Sequence, residues 1–157
     1  MNAVKFLYEL DKYYNKEIKI DEQKEYEVPY TTMNVGIIKG GSANNSVSAH
    51  CKVSIDFRIA NKNHIPKLLN KVEELSKIYD SKINIIDLVE PFVDKIDFLE
   101  NIKTTNFLTE ACKISNSKRM ILGTGPVTAH EVNEHISIES YKKLIKQYED
   151  LIYKICK

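Results

Sequence analysis

From Ala3 to Tyr14 the apolar residues Val4, Phe6, Leu7, Leu10, Tyr13 and Tyr14 recur at spacings of three and four. That is one face of an amphipathic helix. Residues 15–29 are rich in charge and end at Pro29, so they read as a connector. Strand-forming residues follow over 31–39, with Met33, Val35 and Ile37 expected on one side. The stretch GGSANNS at 40–46 signals a turn. Beyond it Cys51, Val53, Ile55 and Phe57 alternate with Lys52, Ser54, Asp56 and Arg58. A period of two marks a strand with one buried and one open face.

Helical spacing returns at Ile65, Leu68, Leu69, Val72, Leu75, Ile78 and Tyr79. Pro66 falls in the first turn, where a missing N–H costs no hydrogen bond. DSK at 80–82 breaks the pattern, and INIIDLV at 83–89 reads as a short strand. The order helix, strand, strand, helix, strand is that of a ferredoxin-like βαββαβ unit without its opening strand, an α+β arrangement. After Pro91 the spacing of Phe98, Leu99, Ile102, Leu108, Ala111 and Cys112 predicts a helix over 97–114. RMIL at 119–122 then reads as a buried strand, and Ser137 as the N-cap of a last helix with Glu139 in its first turn. The change of character near Val89–Pro91 divides the chain into residues 1–90 and 91–157. The helix stripes are read as core.

Composition narrows the function classes. A chain of 157 residues with 43% apolar content can bury one core or two small ones. Its 23 basic residues nearly balance 22 acidic ones, unlike the clustered basic excess of a nucleic-acid binder. No run approaches the roughly 18 apolar residues of a membrane span. Charges at Lys5, Glu9, Asp11 and Lys12 break any leader-like apolar region at the start. Cys51, Cys112 and Cys156 are odd in number and widely spaced, which fits a reduced, cytoplasmic chain. Asn44-Asn45-Ser46 matches a glycosylation acceptor, but without a secretory signal the match carries little.

Candidate chemistry concentrates in GTGPVTAHEVNEHIS, residues 123–137, where His130 and His135 flank Glu131 and Glu134. A helical zinc pair needs two histidines four apart. Here the residue four after His130 is Glu134, and His135 falls about 100° further round a helix. One imidazole with one carboxylate still supplies one or two of the three or four ligands that a zinc site needs. His50 and His64 lack ligand-type spacing to any other donor, and His64, set in NKNH, reads as a solvated loop residue.

Two stretches carry a family resemblance. MNVGIIKGGSANNSVSAHCKVSIDFRIA (33–60) resembles the middle of the M20 metallopeptidases, the acetylornithine deacetylase and succinyl-diaminopimelate desuccinylase group. Gly40, Gly41, Ala43, Asn45 and Val47 match that family's turn, and Asp56 and Arg58 match its Asp-x-Arg strand end; Ser48 stands where the family has proline. Residues 108–156 resemble the closing segment, through Thr109, Glu110, Ala111, Ala129, His130, Asn133 and Glu134, with a loop that departs as Gly-Thr-Gly-Pro. The resemblance implies a lid that is also a dimerisation domain, followed by a helix-strand-helix remnant of an α/β catalytic domain. It implies a zinc-dependent hydrolase of N-acylated amino acids or peptides that works as a homodimer.

Within that resemblance His130 is similar to the last metal ligand, and Glu134 to the carboxylate that supports it from behind. Arg58 suits capture of a substrate carboxylate. Asn45 is placed to offer an amide N–H to a developing oxyanion. Gly123, Thr124 and Gly125 are placed to offer backbone N–H groups to the acyl part of the substrate. Plain structural readings stand beside these: a turn residue with positive φ for Asn45, a surface ion pair for Arg58, and a strand-to-loop turn for the Gly-Thr-Gly stretch.

The family's remaining metal ligands and general base, an upstream His-x-Asp and a Glu-Glu pair among them, have no counterpart here. The only Glu-Glu, Glu73-Glu74, lies inside the predicted helix 65–79. The expectation is therefore an inactive chain with weak zinc affinity, the C-terminal part of an amidohydrolase. The alternative is a non-catalytic module that dimerises or docks through its lid sheet.

Overall fold

The computed structural model describes residues 2–97, 104–105, 108–114, 116–125, 128 and 131–156. It divides into two compact units, Met1–Lys118 and Arg119–Lys157. Among the described residues helix and strand are mixed, and the sheet is a two-stranded antiparallel hairpin, an α+β composition.

In the first unit, helix α1 runs Asn2–Tyr13 and continues as a π-helical turn, Tyr14–Ile18. The expected connector therefore begins later than the charge pattern suggests. Leu10, Tyr14 and Ile18 recur every four residues, and all three are buried, so the apolar stripe carries the helix past Tyr14. Strand β1 (Thr32–Gly40) pairs with β2 (Cys51–Arg58), from Thr32 opposite Arg58 to Gly40 opposite Cys51. Helix α2 (His64–Ile78) follows and buries His64, Leu68 and Leu75.

The two helices run antiparallel over one face of the hairpin. At one end Asn2 Nδ2 donates to the carbonyl of Tyr79 at 3.1 Å, and Phe6 meets the Tyr79 ring edge-on. At the other end Tyr14 and Ile18 pack with Leu68, and Tyr13, Met33, Phe57 and Ile59 close around them. Burying a side chain of that size fully is worth about 1.5–3 kcal/mol, so this cluster fixes which face of the hairpin turns inward.

The strand register corrects one expectation. A bulge lies between Val35 and Ile37, and one extra residue reverses the alternation. Met33 and Val35 share the core face, whereas Ile37 comes opposite Ser54 on the open face. The two glycines after β1 have separate causes. A Cβ on Gly40 would stand 2.7 Å from the His50 carbonyl oxygen, so the strands approach too closely there for any side chain. Gly41 has φ +82, a conformation that L side chains rarely adopt.

Three further expectations meet a different backbone. INIIDLV at 83–89 joins no ladder, and its Ile86 is 87% exposed. Apolar alternation makes a strand only where a neighbour takes the backbone hydrogen bonds, and the hairpin makes none with this segment. Of the described residues in 97–114, only Glu110–Lys113 are helical, as a 3₁₀ turn. Thr109 is extended, and its Oγ1 accepts from Ala111 N–H at 3.1 Å. That side-chain cap starts a new turn where the predicted helix would have continued. Phe98, Leu99 and Ile102 lie outside the described residues.

In the second unit RMIL at 119–122 is also not in a strand, and helix α3 spans Ile138–Ile155. Its start is as expected: Ser137 is the N-cap, with Oγ accepting from Ser140 N–H at 3.0 Å, and Glu139 lies in the first turn. The stripe Ile138, Tyr141, Leu144, Ile145, Tyr148, Leu151, Ile152 and Ile155, expected as core, holds no buried residue. Leu144 and Leu151 are half-buried and the other six are exposed, because among the described residues this unit has no other helix or strand to pack on the stripe.

Candidate functional site

Packing the helices against Met33 and Phe57 leaves the other face of the hairpin open, and the register fills it with polar groups. Thr32 stands opposite Arg58, and Asn34 opposite Asp56. Arg58 and Asp56, two apart on β2, project to the same side, and Arg58 Nε donates to Asp56 Oδ2 at 2.7 Å. Both side chains are about half exposed. No other hydrogen bond to the guanidinium occurs among the described residues. The surface ion pair that the sequence left open for Arg58 is thus present, and it occupies only the Nε edge of a five-donor fork.

Asn45 lies in the loop joining the strands, in a turn where Ser46 N–H reaches the Ala43 carbonyl at 3.4 Å. Its side chain is exposed, and the non-glycine residues with positive φ among those described are Asp80 and Asn116. A left-handed backbone is therefore not what places an asparagine at this position. The loop leaves the sheet at the Gly40–Cys51 end, and Arg58 closes the other end. The rise of β2 between those ends is about 23 Å. No hydrogen bond among the described residues joins Asn45 to Arg58. Ser48, at the family's proline position, donates its Oγ–H to the His50 carbonyl at 2.6 Å.

In the second unit Gly123 and Gly125 are exposed and Thr124 is half-buried. None of the three makes a backbone hydrogen bond with another described residue. His130 lies outside the described residues. Glu134 is exposed in a turn closed by its own N–H on the Glu131 carbonyl at 3.2 Å. Thr128 Oγ1 donates to the His135 carbonyl at 2.9 Å and accepts from His135 N–H at 3.1 Å, which pins the loop across seven residues. The His135 ring donates from Nδ1 to the Asn133 carbonyl. Among the described residues no group of three or more histidine, cysteine, aspartate or glutamate side chains is gathered closely enough to hold a metal ion. That donor set does not form a cage for zinc.

The buried polar cluster among the described residues was not foreseen. His64 is fully buried rather than solvated. Its Nε2 donates to Asp21 Oδ2 at 2.9 Å, and its Nδ1 meets Thr31 Oγ1 at 2.8 Å. Thr31, also fully buried, accepts from Ala60 N–H at 3.0 Å through the same oxygen, which directs its hydroxyl proton at Nδ1. Tyr14 Oη–H donates to the Thr31 carbonyl at 3.0 Å. The network ties the π turn, the connector, the start of β1 and the end of β2 to the first residue of α2. Burial pushes the Asp21 carboxyl up, but hydrogen bonds from Asn61 and His64, attraction to the His64 ring and the Gln23 amide outweigh it and hold the group below its usual value. Burial first, then the neighbouring Tyr30, raises the Tyr14 phenol. A nucleophile shut away like Thr31 has no access to substrate, so the cluster is structural. The signal available in the sequence was the Leu10, Tyr14, Ile18 spacing, which predicts a core that the head of α2 must meet.

Comparison with known proteins bears on most of the chain. The M20 peptidase dimerisation domain matches residues 1–83. An acetylornithine deacetylase from Photorhabdus laumondii is 31% identical over an alignment of 147 residues, covering 80% of this chain and 38% of that protein. An acetylornithine deacetylase from Aliivibrio fischeri is 26% identical over 161 residues, covering 90% and 43%. One from Pectobacterium carotovorum is 27% identical over 150 residues, covering 83% and 39%. The chain thus spans about two-fifths of the length of the curated relatives it matches. No solved structure matches it.

Proposed function

Because the chain belongs to the M20 metallopeptidase family, through its peptidase dimerisation domain, we propose that it is the C-terminal part of a zinc-dependent N-acyl amino-acid amidohydrolase. Residues 1–90 form the lid, a ferredoxin-like unit reduced among the described residues to its two helices and the β1–β2 hairpin, and residues 91–157 close the catalytic domain. The observation that carries this reading is the open face of the hairpin, where the Asp-x-Arg match ends in an exposed guanidinium with a free edge.

In the complete enzyme Arg58 takes the substrate carboxylate, and Asn45 donates to the oxygen that gains charge as the acyl carbon becomes tetrahedral. The backbone N–H groups at Gly123, Thr124 and Gly125 hold the acyl portion. His130 is one metal ligand and Glu134 steadies it. The family's upstream His-x-Asp and Glu-Glu pair have no counterpart in this sequence, so no catalytic step is assigned to this chain, and by this reading it is inactive by itself. The substrate class is an N-acylated amino acid, and the names of the relatives make N-acetylornithine the first one to try. The enzyme works as a cytoplasmic homodimer joined through the lid.

A second reading, a module that dimerises or docks without catalysing anything, is favoured by a different observation. The family match lies on the dimerisation domain, and the unpaired segment 83–89 presents apolar side chains. Sequencing the DNA upstream of the Met1 codon separates the two. An in-frame His-x-Asp and Glu-Glu support the hydrolase reading, and a frameshifted or intergenic stretch supports the module.

A further inference from the structure

We infer that Asp56 is the positioning residue for Arg58: it fixes the guanidinium by the Nε edge so that the outer edge, Nη1 and Nη2, faces an incoming carboxylate. The inference rests on the reading of Arg58 as the carboxylate anchor. Asp56 and Arg58 are two apart on β2, on the face that the helices leave open, and their register partners are Asn34 and Thr32. Asp56 Oδ2 lies 2.7 Å from Nε, a short charge-assisted contact.

An arginine fork has two edges that can receive a carboxylate in bidentate fashion, and the edge containing Nε is the one Asp56 takes. What remains belongs to a side chain that is about half exposed. An exposed ion pair adds little to stability, so the consequence of this one lies in the freedom it removes from a long side chain. Its cost is also plain, because the Asp56 charge repels the anion that Arg58 is meant to hold. Asparagine at 56 keeps an acceptor oxygen without the charge, whereas alanine removes both. Positioning and simple charge neutralisation therefore predict different orders of affinity.

The chain has only two arginines, Arg58 and Arg119, so the Arg58 Nε–H signal of the nitrogen-15-labelled full chain is assigned by its loss in Arg58→Lys. Acetate is then titrated against sodium chloride at matched ionic strength in wild type, Asp56→Asn and Asp56→Ala, and unfolding is recorded to show that each variant is folded. The expected result is an ordered, slowly exchanging Nε–H in wild type and Asp56→Asn that becomes mobile in Asp56→Ala. Acetate then binds Asp56→Asn at least about threefold more tightly than Asp56→Ala, the equivalent of one hydrogen bond. Equal affinity in the two variants, or tighter binding to Asp56→Ala, overturns the positioning role while leaving Arg58 as an anchor. A held Nε–H with no acetate response in any variant overturns the anchor reading and the positioning role with it.

Discussion

Replacing Thr31 by valine tests the packing most sharply, because the side chain keeps its shape and exchanges one oxygen for a methyl carbon. That atom, Oγ1, accepts from Ala60 N–H at 3.0 Å and meets His64 Nδ1 at 2.8 Å, inside a site where Thr31 and His64 are both fully buried. In Thr31→Val both partners stay buried without a bond, and each such group costs about 1–3 kcal/mol. Partial relaxation of the ring brings the expected loss to about 2–4 kcal/mol. Thr31→Ser keeps the oxygen and removes a methyl, worth about 1 kcal/mol. Urea unfolding of the three proteins gives the difference, provided the slope with denaturant is unchanged. Hydrogen exchange at the Ala60 amide gives a local reading, with protection lost in the valine variant and kept in the serine one. A valine variant within about 0.5 kcal/mol of wild type, or a serine variant as costly as the valine one, would refute the assignment of the network as the lock between connector and α2.

Other expectations follow from the same geometry. Because the folded Asp21 carboxyl lies below its ordinary value, the stability it contributes is present above the unfolded carboxylate pKa of about 3.9 and is lost as pH falls through the folded value. An acid titration of unfolding should therefore show a step that Asp21→Asn removes. The raised Tyr14 phenol has the opposite sign: stability is complete below about pH 10 and falls above it. Tyr14→Phe abolishes that alkaline loss and costs about 0.5–1.5 kcal/mol at neutral pH through the bond to Thr31. Gly40→Ala places a carbon against the His50 carbonyl, and thermal unfolding should show a loss of about 1–3 kcal/mol. In a complemented enzyme, Arg58→Ala should lower kcat/KM by about 2–3 kcal/mol and raise KM, and an unchanged kcat/KM would remove Arg58 from the site.

The parts of the fold that were legible in the sequence are those whose pattern is closed locally. The period-two run 51–58 and the spacing over 65–79 each carry enough apolar positions to identify their own element, and Ser137 caps its helix with a bond three residues away. What failed depended on distant partners. INIIDLV and RMIL have strand composition, but a strand exists only with a neighbour. His64 was misread because its partners, Asp21 and Thr31, lie 43 and 33 residues away, while the three residues just before it are polar. The bulge between Val35 and Ile37 leaves no clear sequence mark except Gly36, and it moved Ile37 to the opposite face. Of the candidate site, the open face with Asp56 and Arg58 was readable from alternation alone. The bond between them required the structure.

The measurement that bears most directly on the central claim is hydrolysis of N-acetylornithine by the purified chain, with zinc, in the presence and absence of a separately expressed amino-terminal three-fifths of the Photorhabdus relative, a length set by the 38–43% of the relatives that this chain covers. The expected result is no turnover by the chain alone, turnover on mixing, and loss of that turnover with Arg58→Ala. Turnover by the chain alone would contradict it, and so would a stable mixed complex with bound zinc that leaves the substrate intact.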